Sequence, residues 1–402
     1  MVTLSESGIV TKLSSSEHVS LSPFTEEHDL LRKTIGEWVD SEVAPYVADW
    51  EDQGDFPDEV FRRAGELGFL GLAFPESAGG QGGDFWAQVV FLEEVGRVSQ
   101  AIAMVLSVQT DMSTPPILEF GTQAQIDRWL KPALSGLLIG AIGITEPDTG
   151  SDVASIRTRA VRDGDEWVIN GSKMYITNGA RADFITMVVR TRESEEGNPW
   201  GGISMFIVDT SLPGFSVSRR LDKVGMKLSD TALLHMDEMR LPADALLGVE
   251  GEGFKQIMWE LQGERMGVSI FGVAGARAVL EETTRYAKQR EAFGQPIGRF
   301  QTVSHRLAEM ATEVEAVQAL VYECCDLWNR GVYATEEVAM AKLAVGQLSN
   351  RVADEAVQTL GGAGLVEGSF ISREWLGMRI GRIGGGSDEV QRQILARIMG
   401  IE

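Results

Sequence analysis

The spacing of apolar residues changes twice along this chain, and that change limits the folds open to it. Near the start, Leu31, Ile35 and Trp38 recur at helical spacing. From about residue 139 the pattern becomes that of strands, and from Gly253 long helical patterns return. Because strands and helices do not alternate, this order argues against a doubly wound parallel sheet. We therefore predict an α+β protein, mostly α, in which helical segments flank a β segment.

The domain limits follow from the same shifts in pattern. A Ser-rich polar stretch at 1–23 is predicted to be a disordered tail. We then place an N-terminal helical domain at 24–138, a middle β domain at 139–250 and a C-terminal helical domain at 251–402. Within the first domain, the apolar pattern from Phe85 to Val105 predicts one helix.

The charge balance narrows the possible partners. The chain has 36 Lys and Arg against 59 Asp and Glu, a formal net charge of -23, which disfavours broad contact with nucleic acid or anionic lipid. No stretch reaches the roughly 18 apolar residues of a membrane span, and the first 23 residues lack a basic start followed by an apolar segment. We expect no nucleic-acid partner, no membrane insertion and a cytoplasmic location.

Few residues suit metal or thiol chemistry. The four histidines are widely scattered, so no metal site is predicted. Cys324 and Cys325 are adjacent in a helical pattern, where a disulfide between them would strain the backbone, and we interpret both as reduced packing residues. Motifs for nicotinamide dinucleotides, P-loop phosphates, zinc proteases and serine hydrolases are all missing from the sequence.

Two neighbouring segments are too polar to form core. Residues 143–152 read GITEPDTGSD, and residues 166–179 read EWVINGSKMYITNG. A glycine-broken polar loop followed by a strand that carries a second threonine and an asparagine is suited to holding a planar polar ring. This pair of segments is our first candidate site.

A buried carboxylate is the second. In the helical pattern that begins near Gly253, the apolar stripe includes Ile257, Leu261 and Val268, and both Glu264 and Arg265 fall in its gap. Burial raises the pKa of a carboxyl group and a nearby cation lowers it, so this position suits a base. The alternative is an internal or interfacial Glu–Arg salt bridge with no chemical role.

Four motifs together carry a resemblance to a known family. The runs TEPDTGSD and WVINGSKMYITNG, with REAFGQPIGRFQ at 290–301 and QTLGGAGL at 358–365, resemble the acyl-CoA dehydrogenases, and the similarity extends from about Thr25 to the C-terminus. The resemblance implies a middle β-sandwich or barrel-like domain, a C-terminal four-helix bundle, FAD as cofactor and a homotetramer in which FAD bridges two chains.

The resemblance also implies roles for individual residues. The expected FAD contacts are Ile144, Thr145, Tyr175, Thr177, Arg290, Phe293, Gln301, Gln358, Gly361, Gly362, Ser387 and Glu389. Thr145 and Thr177 would form hydrogen bonds to the flavin ring, and Tyr175 would stack near it. The family usually has Trp where this chain has Tyr175. Arg290, Phe293 and Gln301 would reach the diphosphate and adenine across a subunit boundary, where the planar fork and permanent charge of Arg suit a diphosphate.

The position of the base sets this sequence apart from many relatives. Many family members carry the catalytic glutamate where this chain has Gly385, whereas a group that includes isovaleryl and long-chain types carries it at the position of Glu264. We therefore expect Glu264 to remove the α-proton, Arg265 to orient or tune it, and the backbone N–H of Gly385 to bond the thioester carbonyl. The expected substrate contacts are Ser151, Leu261, Arg265 and Gly384.

Three classes of function fit these expectations. The first is an acyl-CoA dehydrogenase that passes electrons to an electron-transfer flavoprotein. The second is a flavin enzyme of the same fold with another partner, either a dehydrogenase of thioesters on an acyl carrier protein or an oxygen-using oxidase or monooxygenase. The third is a non-catalytic flavin-binding protein, which an intact base and flavin loop disfavour.

Overall fold

The computed structural model describes residues 23–194, 198 and 200–401, so the predicted tail at 1–23 lies outside the described residues except for Pro23. The first part of the chain is helical, as predicted. Its helices are α1 Glu26–Trp38, α2 Val47–Gln53, α3 Glu59–Glu66, α4 Phe85–Gly96, α5 Gln100–Ser107, α6 Pro115–Phe120, α7 Gln123–Gln125 and α8 Lys131–Leu134. Single π-helical segments follow α1, α5 and α7.

The single helix expected from Phe85 to Val105 is wrong, because the chain forms two helices there. Ser99 has extended backbone dihedrals, and its hydroxyl accepts a hydrogen bond from the N–H of Ile102, which caps α5. Asp84 caps α4 in the same way through Ala87. The apolar pattern continues across the break because both helices are buried. The pattern alone therefore does not reveal that Ser99 begins a new helix.

The middle of the chain forms one eight-stranded sheet. Its strands are β1 Gly140–Gly143, β2 Arg159–Asp163, β3 Glu166–Thr177, β4 Phe184–Arg190, β5 Ile203–Asp209, β6 Phe215–Arg220, β7 Thr231–Pro242 and β8 Leu246–Leu247. The order is β6-β7-β3-β2-β4-β5-β8, with β1 paired to β4 in parallel. All seven residues of β4 are buried, and five of them are apolar, with Thr186 and Arg190 as the exceptions.

Helices return after the sheet, which confirms the predicted order. The elements are α9 Gly253–Gln289, a hairpin of β9 Glu291–Ala292 and β10 Gln295–Pro296, then α10 Gln301–Asn329, α11 Thr335–Leu360, α12 Phe370–Gly377 and α13 Asp388–Ile398. The long helices α9, α10 and α11 pack on one another, and α13 packs on α11. The two adjacent cysteines on α10 are buried and free.

Helix α9 connects the two helical regions and the sheet. Its first turns, through Ile257, belong to an apolar cluster shared with β4, β5 and α8. Further along, Gly96 of α4 is so close to Phe271 that an added Cβ would lie 2.8 Å from the phenylalanine Cβ. Helix α9 therefore runs from the sheet into the helical core, and Glu264 lies between these two contacts. Among the residues that the structure describes, no helix is long and apolar enough to cross a membrane.

Candidate active site

Glu264 lies next to Gly385, from the loop between α12 and α13. A Cβ added to Gly385 would lie 3.6 Å from Oε1 of Glu264, and the φ angle of Gly385 is +66°, which favours glycine. Burial raises the pKa of Glu264 above its ordinary value, while Arg265, Lys342 and the backbone N–H of Gly385 oppose that effect. Glu264 is therefore a partly buried carboxyl group with increased proton affinity.

The backbone N–H of Gly385 also lies near this carboxyl group, and no side chain of residue 385 separates the two. The N–H opposes the rise of the Glu264 pKa that burial causes. Its expected role as a donor to a substrate carbonyl stays a prediction.

Arg265 holds the same loop from the other side. Its side chain is buried, and its Nε donates a hydrogen bond of 3.2 Å to the carbonyl oxygen of Gly385. No hydrogen bond or ion pair within the described residues joins Arg265 directly to Glu264, although its charge lowers the pKa of Glu264. Arg265 therefore acts on Glu264 through its charge and through the loop, and the alternative of an internal Glu264–Arg265 salt bridge finds no support, since no ion pair within the described residues joins the two side chains.

Sequence reasoning missed Lys342. This α11 side chain is buried, and its Nζ donates a hydrogen bond to the carbonyl oxygen of Gly386. Burial lowers the pKa of Lys342 to about 8, against the charges of Asp388 and Glu264, which raise it. A lysine between Ala341 and Val345 in the buried stripe of a helix was the available signal.

A second buried carboxyl group lies one turn before the first. Glu260 is 2% exposed, and neither of its carboxyl oxygens has a hydrogen-bond partner within the described residues. Burial, then the charge of Glu264, raises the pKa of Glu260 well above its usual range. Glu260 therefore holds its proton to a higher pH than an exposed glutamate does. Sequence reasoning did not find it, because the apolar stripe suggested only one charged gap.

Residues 108–113 connect this helix to the sheet. An added Cβ on Gly263 of α9 would lie 3.0 Å from the carbonyl oxygen of Asp111, and the Gln109 side chain accepts a hydrogen bond of 2.7 Å from the N–H of Gly140 in β1. Asp111 itself accepts hydrogen bonds from Ser107, Thr110 and Gln88. The strand that leads into the polar loop and the helix that carries Glu264 thus pack on one segment.

The polar loop and β3 lie side by side. The N–H of Met174 donates a hydrogen bond of 2.8 Å to the carbonyl oxygen of Thr145. Tyr175 has a φ of +62° in an irregular stretch of the β3–β7 pairing, and its side chain is 62% exposed. The hydroxyl groups of Thr145 and Thr177 make no hydrogen bond within the described part of the chain. The structure therefore places Ile144 and Thr145 on a segment beside β3, with the hydroxyl groups of Thr145 and Thr177 and the ring of Tyr175 available to a ligand.

The other expected FAD contacts lie at the far ends of the long helices. Phe293 is 95% exposed at the tip of the β9–β10 hairpin, and an added Cβ on Gly361 or Gly362 would meet no atom within 4 Å. The hydroxyl of Tyr286 approaches the carbonyl oxygen of Leu360 at 3.5 Å, which brings the end of α9 beside the end of α11. No hydrogen bond within the described residues links this region to the polar loop.

The remaining candidates lie at the start of α13, beside Gly385 and Arg265, and in the loop after β1. Ser387 caps α13 by accepting a hydrogen bond from the N–H of Val390, and Glu389 is exposed in the first turn of that helix. Gly384 adjoins Gly385, and Leu261 is partly buried one turn before Arg265. Ser151 is exposed in the loop after β1.

The chain thus consists of a helical domain, an eight-stranded sheet and a helical bundle, in that order, and the first helix of the bundle carries the partly buried Glu264. Family models described as the N-terminal, middle and C-terminal domains of acyl-CoA dehydrogenase match residues 25–137, 141–239 and 251–400. The chain belongs to the acyl-CoA dehydrogenase family.

Individual relatives and solved structures support the same family. The mitochondrial long-chain specific acyl-CoA dehydrogenase of Mus musculus is 38% identical over 93% of this chain and 86% of its own length. The crystal structure of an acyl-CoA dehydrogenase from Geobacillus kaustophilus has a TM-score of 0.91 and 38% identity, and the match covers 94% of this chain and 99% of that one. The prolyl acyl carrier protein oxidase AnaB also matches, with a TM-score of 0.89, 26% identity and coverage of 94% and 100%.

The acyl-CoA dehydrogenase family is FAD-dependent. The residues present here fit that cofactor, because the hydroxyl groups of Thr145 and Thr177 have no hydrogen-bond partner within the described residues and the ring of Tyr175, two residues before Thr177, is 62% exposed. The open backbone at Gly361 and Gly362 also leaves room for a close approach.

Proposed function

We propose that this protein converts an acyl-CoA to a trans-2-enoyl-CoA, with FAD as cofactor and Glu264 as the base. The observation that carries the proposal is the position of Glu264, a carboxyl group of raised pKa in a site where residue 385 has no side chain. A raised pKa keeps a carboxylate basic enough to accept a proton from a weak carbon acid. Of the two positions that the sequence resemblance implies for a base, residue 264 carries a glutamate and residue 385 is a glycine, which cannot act as a base.

The residues would act as follows. Glu264 takes the α-proton onto its carboxylate, and the electrons of that C–H bond become the new α,β double bond as hydride leaves the β-carbon. FAD, when bound, supplies the hydride acceptor. The thioester carbonyl accepts a hydrogen bond from the Gly385 N–H, which stabilises the developing enolate. Arg265 holds the Gly385 loop through its carbonyl oxygen.

The cofactor contacts that we propose come from two chains. Ile144, Thr145, Tyr175 and Thr177 hold the flavin ring of their own chain. Arg290, Phe293, Gln301, Gln358, Gly361 and Gly362 serve the FAD of a second chain, with Ser387 and Glu389 near the ring. The 95% exposure of Phe293 supports this arrangement, because such an aromatic side chain is rarely left in water. A homotetramer is the assembly that we propose.

For the substrate, we propose contacts from Ser151 to the pantetheine arm and from Leu261, Arg265 and Gly384 near the thioester. The absence of a side chain at residue 385 leaves volume beside Glu264 for an acyl branch or a different chain path. Relatives named for long-chain and for short-chain substrates both match this chain, at 38% and 34% identity, and so chain length is left to measurement.

An electron-transfer flavoprotein is the proposed electron acceptor. The oxidase AnaB, whose name gives it a prolyl group on an acyl carrier protein, favours a second candidate for this chain: an oxidase acting on a carrier-bound thioester. The two candidates differ in one measurement. After anaerobic reduction by substrate, a dehydrogenase recovers its oxidised flavin slowly in air and an oxidase recovers it fast.

The base assignment is tested by Glu264→Gln, which keeps the shape and removes the charge. Purified FAD-loaded protein is mixed without air with acyl-CoA thioesters of several chain lengths, and with a carrier-bound thioester, while flavin absorbance is followed. We expect the wild type to bleach and the variant to keep its FAD without bleaching. Glu260→Gln, the same change one turn earlier, is the matched control and should still bleach. Full bleaching of Glu264→Gln would show that another group is the base.

A further inference from the structure

Lys173 is a fully buried lysine on β3, and nothing above assigns it a role. Its side chain is 0% exposed, and its Nζ donates hydrogen bonds to the carbonyl oxygen of Ile144 at 2.9 Å and to Oε1 of Glu146 at 2.8 Å. Both acceptors lie in the loop after β1. Lys173 therefore ties β3 to this loop two residues before Tyr175.

Glu146 extends the connection. Its carboxylate also accepts hydrogen bonds from the backbone N–H of Arg157 at 2.6 Å and of Thr158 at 3.0 Å, and its own backbone pairs with Thr149. Burial raises the pKa of Glu146, but the charge of Lys173 and these donors outweigh burial, so the pKa lies below its ordinary value. The carboxylate is thus ionised and bonded on both oxygens.

The residues proposed to hold the flavin ring alternate with this pair along the chain. Thr145 lies between the two Lys173 acceptors, Ile144 and Glu146, and its carbonyl oxygen accepts the N–H of Met174, the residue after Lys173. Moving the lysine would shift the loop against the strand. A hydroxyl displaced by even 1 Å loses most of a hydrogen bond, because these bonds have a narrow distance range.

We propose that the Lys173–Glu146 ion pair is a positioning device that sets the spacing between Thr145 and the segment Tyr175–Thr177, and thereby sets the affinity for FAD without touching the cofactor. This inference rests on the proposed function, since it takes those residues as the flavin cradle. Removing two charges from water costs free energy that their attraction barely offsets, so a buried ion pair adds little stability. Holding the loop at a fixed distance from β3 is a role that accounts for the Lys173–Glu146 pair.

The test measures FAD release. Holoenzymes of the wild type, Lys173→Met and Glu146→Gln are diluted, and the rise of flavin fluorescence gives the dissociation constant. Unfolding midpoints are measured on the same samples. We expect both variants to bind FAD at least tenfold more weakly. The double variant should lose less than the product of the two single losses, because each single change already breaks the pair.

Arg32→Met is the matched control, since Arg32 forms a partly buried pair with Glu93 in the helical domain, away from the loop. It should lower the unfolding midpoint and leave FAD affinity unchanged. Wild-type affinity in Lys173→Met, or equal FAD loss in Arg32→Met, would overturn the proposal. Should Lys173→Met not fold, Glu146→Gln decides alone, because its amide oxygen still accepts one of the two backbone N–H groups. A wild type that retains no FAD would refute the proposed function instead.

Discussion

Glu264 and Gly385 are in contact across the gap between α9 and the loop before α13, with 3.6 Å between Oε1 of Glu264 and the place where a Cβ of residue 385 would stand. A glycine with positive φ therefore lies beside the proposed base, at the position where the sequence resemblance implies a glutamate in many family members. Glu264 and the position of residue 385 form one unit, and changing either should alter the other.

The first prediction concerns that unit. Gly385→Ala places a methyl group against the carboxylate and forces an L residue to a φ of +66°. We expect a loss of about 1 kcal/mol in unfolding free energy from the backbone conformation, and slower flavin reduction by substrate with FAD retained. The measurement is anaerobic stopped-flow reduction beside chemical unfolding.

Gly331→Ala is the control for strain alone. Gly331 has a φ of +73° and no atom within 4 Å of an added Cβ. It should cost similar stability and leave flavin reduction at the wild-type rate. Equal slowing in both variants would mean that the methyl group at residue 385 does not act on Glu264.

The second prediction concerns Lys342. Its positive charge lowers the pKa of Glu264, so Lys342→Met should raise that pKa. The base is active when ionised, and a higher pKa means that ionisation needs a higher pH. The acid limb of the kcat/KM profile should therefore move to higher pH, with recovery at the alkaline plateau. Lys255→Met, on an exposed part of α9, should leave the profile in place. A lower plateau with an unmoved limb would indicate a purely structural role.

The third prediction uses Asp111, whose pKa burial raises to about 6 from 3.8. Because the folded state holds this proton more tightly than the unfolded state, the stabilisation is present below pH 3.8 and is lost as the pH rises to about 6. The difference of about two pKa units corresponds to roughly 3 kcal/mol. Relative to Asp111→Asn, the wild type should lose that much unfolding free energy across this window. A pH-independent difference in urea unfolding would contradict it.

The fourth prediction concerns Glu260. A buried carboxyl group without a hydrogen-bond partner lowers stability, so Glu260→Leu should raise the unfolding free energy, or leave it unchanged, at neutral pH. The gain in unfolding free energy over the wild type should grow as the pH rises. At higher pH the wild-type fold must keep a proton on Glu260 that the unfolded chain has already lost. Thermal unfolding at several pH values measures this. Marked destabilisation of the variant at pH 8 would show that Glu260 has a partner in solution.

The fifth prediction concerns the exposed hairpin. Arg290→Ala removes the cation proposed for the diphosphate of a neighbouring chain, and charged hydrogen bonds of this kind contribute about 1.5–3 kcal/mol, roughly a 10- to 100-fold change in FAD affinity. Flavin content after gel filtration should fall, and light scattering should show smaller assemblies. Lys288→Ala, two residues earlier and also exposed, should change neither quantity. Full flavin content in Arg290→Ala would count against a shared cofactor.

Some structural features were visible in the residue pattern and others were not. The pattern placed Glu264 on the buried face of α9 and found most long strands, but it did not include β6, whose residues 216–220 are all exposed and show no apolar alternation. It also joined α4 and α5, because a capping serine between two buried helices leaves the apolar period intact. The apolar pattern does not reveal the boundary between two helices when both of them are buried in the core.

The sequence by itself determined the order of helix, sheet and helix, the family, and the residues that line the polar loop. Only the tertiary structure decided which charges surround Glu264. Lys342 and the backbone N–H of Gly385 come from elements far from Glu264 in sequence, and the shifted pKa of a carboxyl group depends on distances and burial that chain spacing does not encode. The same reason hid the Lys173–Glu146 pair, which exists only because β3 folds back beside the loop that follows β1.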